Sequence, residues 1–394
     1  MIANLIALAV RARWAVLFIF LAIAGLGLWQ LTKLPIDAVP DITNKQVQIN
    51  TVDRRLSPVE MEKLVTYPIE TALAGIPGLE TTRSISRNGF SQVSAIFSEG
   101  TDLYFARQQV GERLTQARDT LPDGVQPQIG PVTTGLGEVV MYTVEYANPD
   151  GKGAKIVNGQ PGWQSDRSYL TPEGDRLTNA VEQAGFLRTV QDWIVRPQLR
   201  AVPGVAGVDS IGGYAKTFVV EPDPVKLSTY GISYSELGEA LENANLAVGA
   251  NYYNRGGEGY LVRLDARVRS VDEIKNAVAA TRGGVPITVG QIANVESGGD
   301  LRTGAGSVNG KEAVIGTALM LIGQNSRIVA QDVSAKLEQV SKTLPPGVTV
   351  KVVLDRSKLV NATVATVQRN LTEGAILVAV ALFLLLGNWR AALI

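Results

Sequence analysis

Two apolar spans bracket this chain and constrain its fold more than any single motif. The first runs from Trp14 to Thr32 without a charged residue, and the second opens at Gly374 and continues to Ile394. At about 1.5 Å of rise per residue the first makes a helix of about 28 Å, close to the roughly 30 Å hydrocarbon core of a bilayer. The middle carries charged residues throughout. Such a chain is expected to leave the membrane, fold a water-facing body and return. It reads as part of a transporter rather than as a soluble enzyme.

The basic residues set the orientation. Arg11 and Arg13 precede the first span, and Arg390 follows the stretch from Ala375 to Leu386. Lys and Arg near span ends stay cytoplasmic, so both ends are expected inside and the body outside. A cleaved signal peptide is the alternative for the first span. Against it, the apolar run is long, and Gln30-Leu31-Thr32-Lys33-Leu34-Pro35 offers no small-x-small cleavage site.

Composition removes whole classes of chemistry. Lys+Arg and Asp+Glu balance at 37 each, so no basic field is available for nucleic acid. With no cysteine, disulfides and thiolate metal sites are excluded. With no histidine, His-based zinc catalysis and nucleophilic triads are excluded too. Any chemistry must rest on carboxylates, hydroxyls, amides, backbone or methionine.

The body is too long for one core and should divide. Val47, Ile49 and Thr51 alternate as a strand. Ser57-Pro58-Val59-Glu60 then opens a helix through a capping box, running to about Ala74. A hairpin from Thr81 to Ser86 and Gln92 to Phe97 turns at Asn88-Gly89. A helix from Leu103 to Leu121 and a strand from Val125 to Ile129 close the unit. The grammar recurs: Leu121-Pro122-Asp123-Gly124-Val125 matches Leu344-Pro345-Pro346-Gly347-Val348, and Ile76-Pro77-Gly78-Leu79 is echoed by Val202-Pro203-Gly204-Val205. The expected fold class is an α+β membrane protein in which transmembrane helices bracket duplicated βαββαβ sandwiches. Pro-Gly corners are common punctuation, so coincidence is the alternative.

Two stretches interrupt the repeat. Between Gly213 and Gly298 lie a strand (Thr217 to Glu221), a helix capped by Ser233 and Glu236, and a run from Asn243 to Gly259 rich in Asn, Gly and Tyr. That run reads as a long hairpin or arm, either a flexible loop or a clasp for a neighbouring subunit. Asn148 to Asp175, with Trp163 alone in it, reads as an irregular surface insertion between a strand (Val139 to Tyr146) and a helix (Leu187 to Leu199).

Several ordered strings then carry a resemblance. They are Leu34-Pro35-Ile36-Asp37-Ala38-Val39-Pro40-Asp41-Ile42-Thr43-Asn44, Val65-Thr66-Tyr67-Pro68-Ile69-Glu70, Gly100-Thr101-Asp102-Leu103-Tyr104-Phe105-Ala106-Arg107 and Thr134-Gly135-Leu136-Gly137-Glu138. Gln191-Asp192-Trp193, Leu301-Arg302-Thr303-Gly304-Ala305 and Leu386-Gly387-Asn388-Trp389-Arg390 continue the series. Nearly the whole chain, apart from the insertion, resembles the amino-terminal portion of heavy-metal efflux pumps of the cobalt–zinc–cadmium resistance type, in the resistance-nodulation-division superfamily.

The resemblance implies a homotrimer in the inner membrane of Gram-negative bacteria, multi-pass and with a large periplasmic portion. It implies proton-driven export of divalent cations, with a periplasmic adaptor protein and an outer-membrane channel as partners and no resident cofactor. It implies a cytoplasmic start and first transmembrane helix over 1–35, a first porter subdomain over 36–131, and a second porter subdomain over 132–212 and 300–356. A docking subdomain over 213–299 would carry the intersubunit arm, which raises the clasp reading. A connecting helix, the second transmembrane helix and the start of a third would fill 357–394. The superfamily's proton relay uses acidic residues in a later span, and neither span here holds a carboxylate. The chain is therefore expected to be a truncated part that does not pump alone.

Three carboxylates are candidate transport-path ligands, since weak carboxylate binding suits a cation that must be released. Glu138 opens a strand after a Gly-rich turn, at a place that lines the inner porter pocket in the superfamily. Copper- and silver-exporting relatives lack a carboxylate there, which tilts the reading toward zinc, cobalt or cadmium. Asp192, beside Trp193 on a helix, and Asp209, at a strand end, are weaker candidates; surface charge or capping is the plainer account of both. Met61, Met141 and Met320 read as core filler rather than soft ligands. Asp102 and Arg107 read as a local helix-start pair, and Gly304-Ala305-Gly306 lacks dinucleotide-binding spacing. Export of organic amphiphiles is the alternative function, disfavoured by an aromatic content of 6%. A non-transporting assembly module is the third.

Overall fold

The computed structural model describes residues 12–31, 43–265, 267–300, 302 and 304–387. Arg11, the string from Leu34 to Ile42, Leu301, Thr303 and the stretch from Asn388 onward, with Arg390 and the expected start of a third span, lie outside the described residues.

The first α+β unit begins with the strand Lys45–Val52, whose Val47, Ile49 and Thr51 are buried as the alternation requires. Its first helix follows in three pieces: Pro58–Met61, a π-helical turn Glu62–Thr66, and Tyr67–Leu73. The Ser57/Glu60 capping box is formed. The wide turn has a local cause. Pro68 has no N–H to offer and its ring crowds the preceding turn, and the Tyr67 N–H reaches back to the Glu62 carbonyl. The strands Leu79–Arg87 and Phe90–Phe97 pair antiparallel around Asn88-Gly89. Gly89 takes φ +67°, and a Cβ there would meet the Arg54 backbone at 2.9 Å. The second helix, Leu103–Ala117, buries Leu103, Ala106, Val110, Leu114 and Ala117, one stripe at helical spacing. Each large apolar side chain buried this way contributes about 1.5–3 kcal/mol. Asp102 caps this helix through the Phe105 N–H at 2.8 Å. The expected Asp102–Arg107 pair does not form: Arg107 instead donates to the Gly130 carbonyl at 2.7 Å, fastening the helix to the end of the sheet.

The second unit runs through the strand Glu138–Tyr146, the helix Ala180–Arg200, the strands Val205–Ile211 and Val314–Met320, the helix Ser326–Ser341 and the strand Val348–Asp355. The first unit's fourth strand is only Gln128–Ile129, shorter than the expected Val125 to Ile129, and pairs with Ile49 and Asn50. Counting strands within each unit, both sheets read second-third-first-fourth across their width. The first helix of this unit also contains a π-helical turn, Gln191–Val195, followed two residues later by Pro197. Of the methionines, Met61 is fully buried, Met320 nearly so, and Met141 half-buried in the sheet.

Two expectations change here. The insertion after Tyr146 is not irregular: Gly162–Trp163, Tyr169–Leu170 and Arg176–Leu177 form a small three-stranded sheet. Trp163 is buried, its ring 5.0 Å from that of Tyr146 and 5.6 Å from that of Tyr169. Aromatic packing, which has no sequence periodicity over so short a stretch, supplies the order. The following helix begins at Ala180 rather than Leu187, because Asn179 and Glu182 form a capping box ahead of the apolar stripe.

Between the second and third strands of this unit the chain builds a separate layer. Lys216–Pro222 pairs antiparallel with Ala293–Gly299, so the excursion leaves and returns side by side. It has its own core around Leu227, Ile232, Leu237 and Ile292. Within it Ala247–Arg255 and Glu258–Asp265 form a hairpin, paired with each other around Gly256-Gly257, both at positive φ, with a shift in register between Ala250 and Tyr252.

The strand Val348–Asp355 passes directly into the helix Arg356–Leu386, 31 residues long, or about 46 Å. The connecting helix and second span are thus one rod, charged through Glu373 and apolar from Gly374. Among the described residues this is the one helix long and apolar enough to cross a membrane. The earlier helix, Arg13–Leu31, has a shorter apolar stretch, Trp14–Gly27. The expected bracketing by two membrane spans is therefore not confirmed among the described residues.

Candidate functional site

Alternation sorts the second sheet into two faces. Val140, Tyr142 and Val144 lie under the helices in the main core. Thr317 pairs with Met141 on one neighbour and with Asp209 on the other, so Met141, Thr317 and Asp209 form a row on the face turned away from the helices. Asp209 is exposed. Glu138 sits at the strand's first position, opposite Leu319, after a shift in register. Val139 and Val140 both enter the core, which leaves Glu138 exposed. Leu319 also pairs with Gly207, so Glu138 and Asp209 are two strands and two residues apart, or about 12 Å between Cα atoms. That spacing gives successive contacts along a surface rather than one shared site. Among the described residues no three acidic side chains converge to hold a metal ion.

The turn before Glu138 is held from two sides. The Met320 N–H donates to the Gly137 carbonyl at 2.7 Å. From the other side Arg356 Nη1 donates to the Leu136 carbonyl, with the Glu138 carbonyl at 3.5 Å.

Asp192 is elsewhere. It lies in the π-helical turn on the helix side of the sheet, where Arg188 Nε reaches it at 2.6 Å and Arg196 stands at 3.8 Å. Ser210 Oγ donates to its other oxygen at 2.8 Å. The neighbouring Gln191 is fully buried; it accepts from the Tyr142 hydroxyl at 3.1 Å and donates to Ser210 at 3.1 Å. Burial pushes the Tyr142 hydroxyl well above the ordinary tyrosine pKa, so it acts as a neutral donor. Gly316 makes room for that ring: a Cβ there would collide with it. The sheet itself therefore separates Asp192 from Glu138 and Asp209. Sequence reasoning missed Tyr142, Gln191 and Ser210. The available signal was Pro197, five residues beyond Asp192, which marks a helix turn too wide for the standard ladder.

A concavity of about 260 Å³ lies over the edge of the same sheet, lined by Glu145, Lys351, Lys311 and Glu312 among others. Its carboxylates are neutralised in place, Glu145 by Lys351 and Glu312 by Arg302, so it offers a cation little.

The AcrB/AcrD/AcrF family matches residues 5–394. The chain belongs to that family. It is 64% identical over 394 residues to the nickel-cobalt-cadmium resistance protein NccA of Alcaligenes xylosoxydans xylosoxydans, covering all of this chain and 37% of the relative. It is 48% identical to the cobalt-zinc-cadmium resistance protein CzcA of Cupriavidus metallidurans, covering 35% of it. The crystal structure of a heavy metal efflux pump superposes with a TM-score of 0.82 at 31% identity, over 99% of this chain and 36% of that one. The chain thus spans just over a third of the length of these relatives. The heavy-metal resemblance read from the ordered strings holds across the whole chain, and the family is one of efflux transporters.

Proposed function

We propose that this chain is the amino-terminal part of a proton-driven, trimeric inner-membrane pump that exports divalent transition-metal cations through a periplasmic adaptor and an outer-membrane channel. Glu138 and Asp209 act as successive weak ligands on the face of the second sheet turned away from its helices. The observation that carries this is the pair of exposed carboxylates on one sheet face, two strands and two residues apart in register, in a chain without histidine or cysteine. Such spacing suits hand-over, where a closed site would trap the ion. That face exposes the carboxylates of Glu138 and Asp209 beside half-buried Met141, with the aliphatic Ile211 and Leu354 next to them, and the carboxylates favour a cation over an organic amphiphile. The relatives' names shift the metal choice. Cobalt is common to NccA and CzcA, and the more similar relative carries nickel where the other carries zinc. Cobalt is therefore the proposed principal cargo, with nickel ahead of zinc and cadmium. Asp192, neutralised by two arginines, positions the helix and does not ligate.

Calorimetric titration of the chain in detergent with cobalt, nickel and zinc chlorides tests this. Weak cobalt binding that Asp209→Asn weakens at least about fivefold, roughly 1 kcal/mol, is the expected result. Binding unchanged by Asp209→Asn removes that residue from the path.

A further inference from the structure

We infer that Arg356 is a positioning residue that ties the long helix to the turn carrying Glu138, so that the helix's inclination in the bilayer sets where that carboxylate stands. The inference deepens the metal-path reading of Glu138 and rests on it. Four observations converge. The helix Arg356–Leu386 follows the strand Val348–Asp355 with no intervening residue. Asp355 closes the junction by accepting from the Ser357 N–H at 2.9 Å and the Ser357 hydroxyl at 2.7 Å. One turn on, Val360 is fully buried, and the start of the helix packs against Ser326–Ser341. Finally, Arg356 reaches the carbonyls of Leu136 and Glu138 across 220 and 218 residues of chain.

An arginine placed so loads the first residue of a rigid rod directly onto the Gly-rich turn. A guanidinium donating to carbonyls is stronger than a neutral donor, and here a single nitrogen, Nη1, lies between the two carbonyls. The opposite side of the turn is pinned to the sheet through Met320. When the helix tilts, the pinned side stays with the sheet and the Arg356 side moves with the rod, so the turn between them deforms.

Bilayer thickness supplies the lever, because an apolar helix changes its tilt to match the hydrocarbon core. The 394-residue chain is placed in nanodiscs of short-chain and long-chain phosphatidylcholine, and amide hydrogen exchange is followed over 133–138. Exchange in the turn should differ about threefold or more between thin and thick bilayers. The difference should persist in Arg356→Lys and vanish in both Arg356→Ala and Arg356→Gln. Exchange over the first sheet, 45–97, reports that each variant is folded. A thickness response surviving in the Ala and Gln variants, or absent from the wild type, overturns the coupling. Cobalt affinity measured on Glu138→Gln, in either lipid, tests the path reading separately.

Discussion

Glu138 and Asp192 are both acidic residues beside structure-breaking neighbours, and sequence position alone does not rank them. Their surroundings do. Glu138 stands exposed at a strand start, whereas Asp192 is gripped by Arg188, Arg196 and Ser210. Asp192→Asn should therefore lower stability by about 1–3 kcal/mol, because the guanidiniums lose a part-buried counter-charge, while leaving cobalt binding unchanged. Glu138→Gln should do the reverse, shifting stability by less than about 0.5 kcal/mol and weakening cobalt. Urea midpoints and calorimetry read the two effects. The exposure of Glu138 was legible in the Gly-rich turn before it. The fate of Asp192 was not, since its network draws on Ser210 and, through Gln191, on Tyr142, partners that only the folded sheet brings close. A third carboxylate gives a pH signature. Asp53 accepts from the Arg55 side chain at 2.9 and 2.8 Å and from its N–H at 3.0 Å, which holds its pKa below the ordinary carboxylate value. A folded pKa below the unfolded one contributes stability that is complete above about pH 5 and disappears as pH falls through the folded value. Asp53→Asn should be less stable than wild type at pH 7, the gap closing as pH falls below the ordinary carboxylate range; an undiminished gap at low pH would refute the ion-pair account.

At the scale of elements, periodic signals were readable and contact-driven order was not. The hairpin at Asn88-Gly89, the capping boxes at Ser57 and Ser233, and the strand opened by Val47 all follow from local chemistry, and each forms. The helix stops before Pro77 and Pro122 were legible for the same reason. The π-helical turns were not, although Pro68 and Pro197 stand in equivalent places, because a missing N–H says that a turn must adapt without saying how. The small sheet after Tyr146 was hidden more deeply. Its strands are two residues each, too short for alternation to show, and Trp163 and Tyr169 hold it by packing on Tyr146 and Phe186. The Tyr169 hydroxyl adds a bond to the Pro346 carbonyl at 2.8 Å, 177 residues away. Trp163→Ala should therefore cost about 3–5 kcal/mol and release the insertion as a loop, read as a lower urea midpoint and rapid proteolysis between Lys152 and Arg176. A surface insertion of the kind composition suggests would lose almost nothing.

For the whole molecule the decisive physical statement is topological. The rod Arg356–Leu386 changes from charged to apolar at Gly374, so the proposed placement puts its charged end on the water-facing side with the two α+β units and its apolar end in the membrane. Turning the molecule over would place the body, with its carboxylates and arginines, in the cytoplasm, away from the periplasm where the proposed path takes up its cation. The chain carries no cysteine, so a single introduced thiol is the sole target for a membrane-impermeant maleimide. Lys152→Cys and Ser235→Cys lie at exposed positions in different layers of the body, and both should label in intact spheroplasts. Ala12→Cys, at the far end of the first apolar helix, should label only after permeabilisation, provided that helix spans the membrane as its flanking arginines imply. That helix has the shorter apolar stretch, Trp14–Gly27, so the Ala12 result is read independently of the other two. Labelling of Ala12→Cys together with Lys152→Cys in intact spheroplasts would place both on one side, leaving the body outside but removing the first anchor. Protection of Lys152→Cys and Ser235→Cys would invert the molecule and end the efflux reading, since no carboxylate of this body would then meet a periplasmic cation.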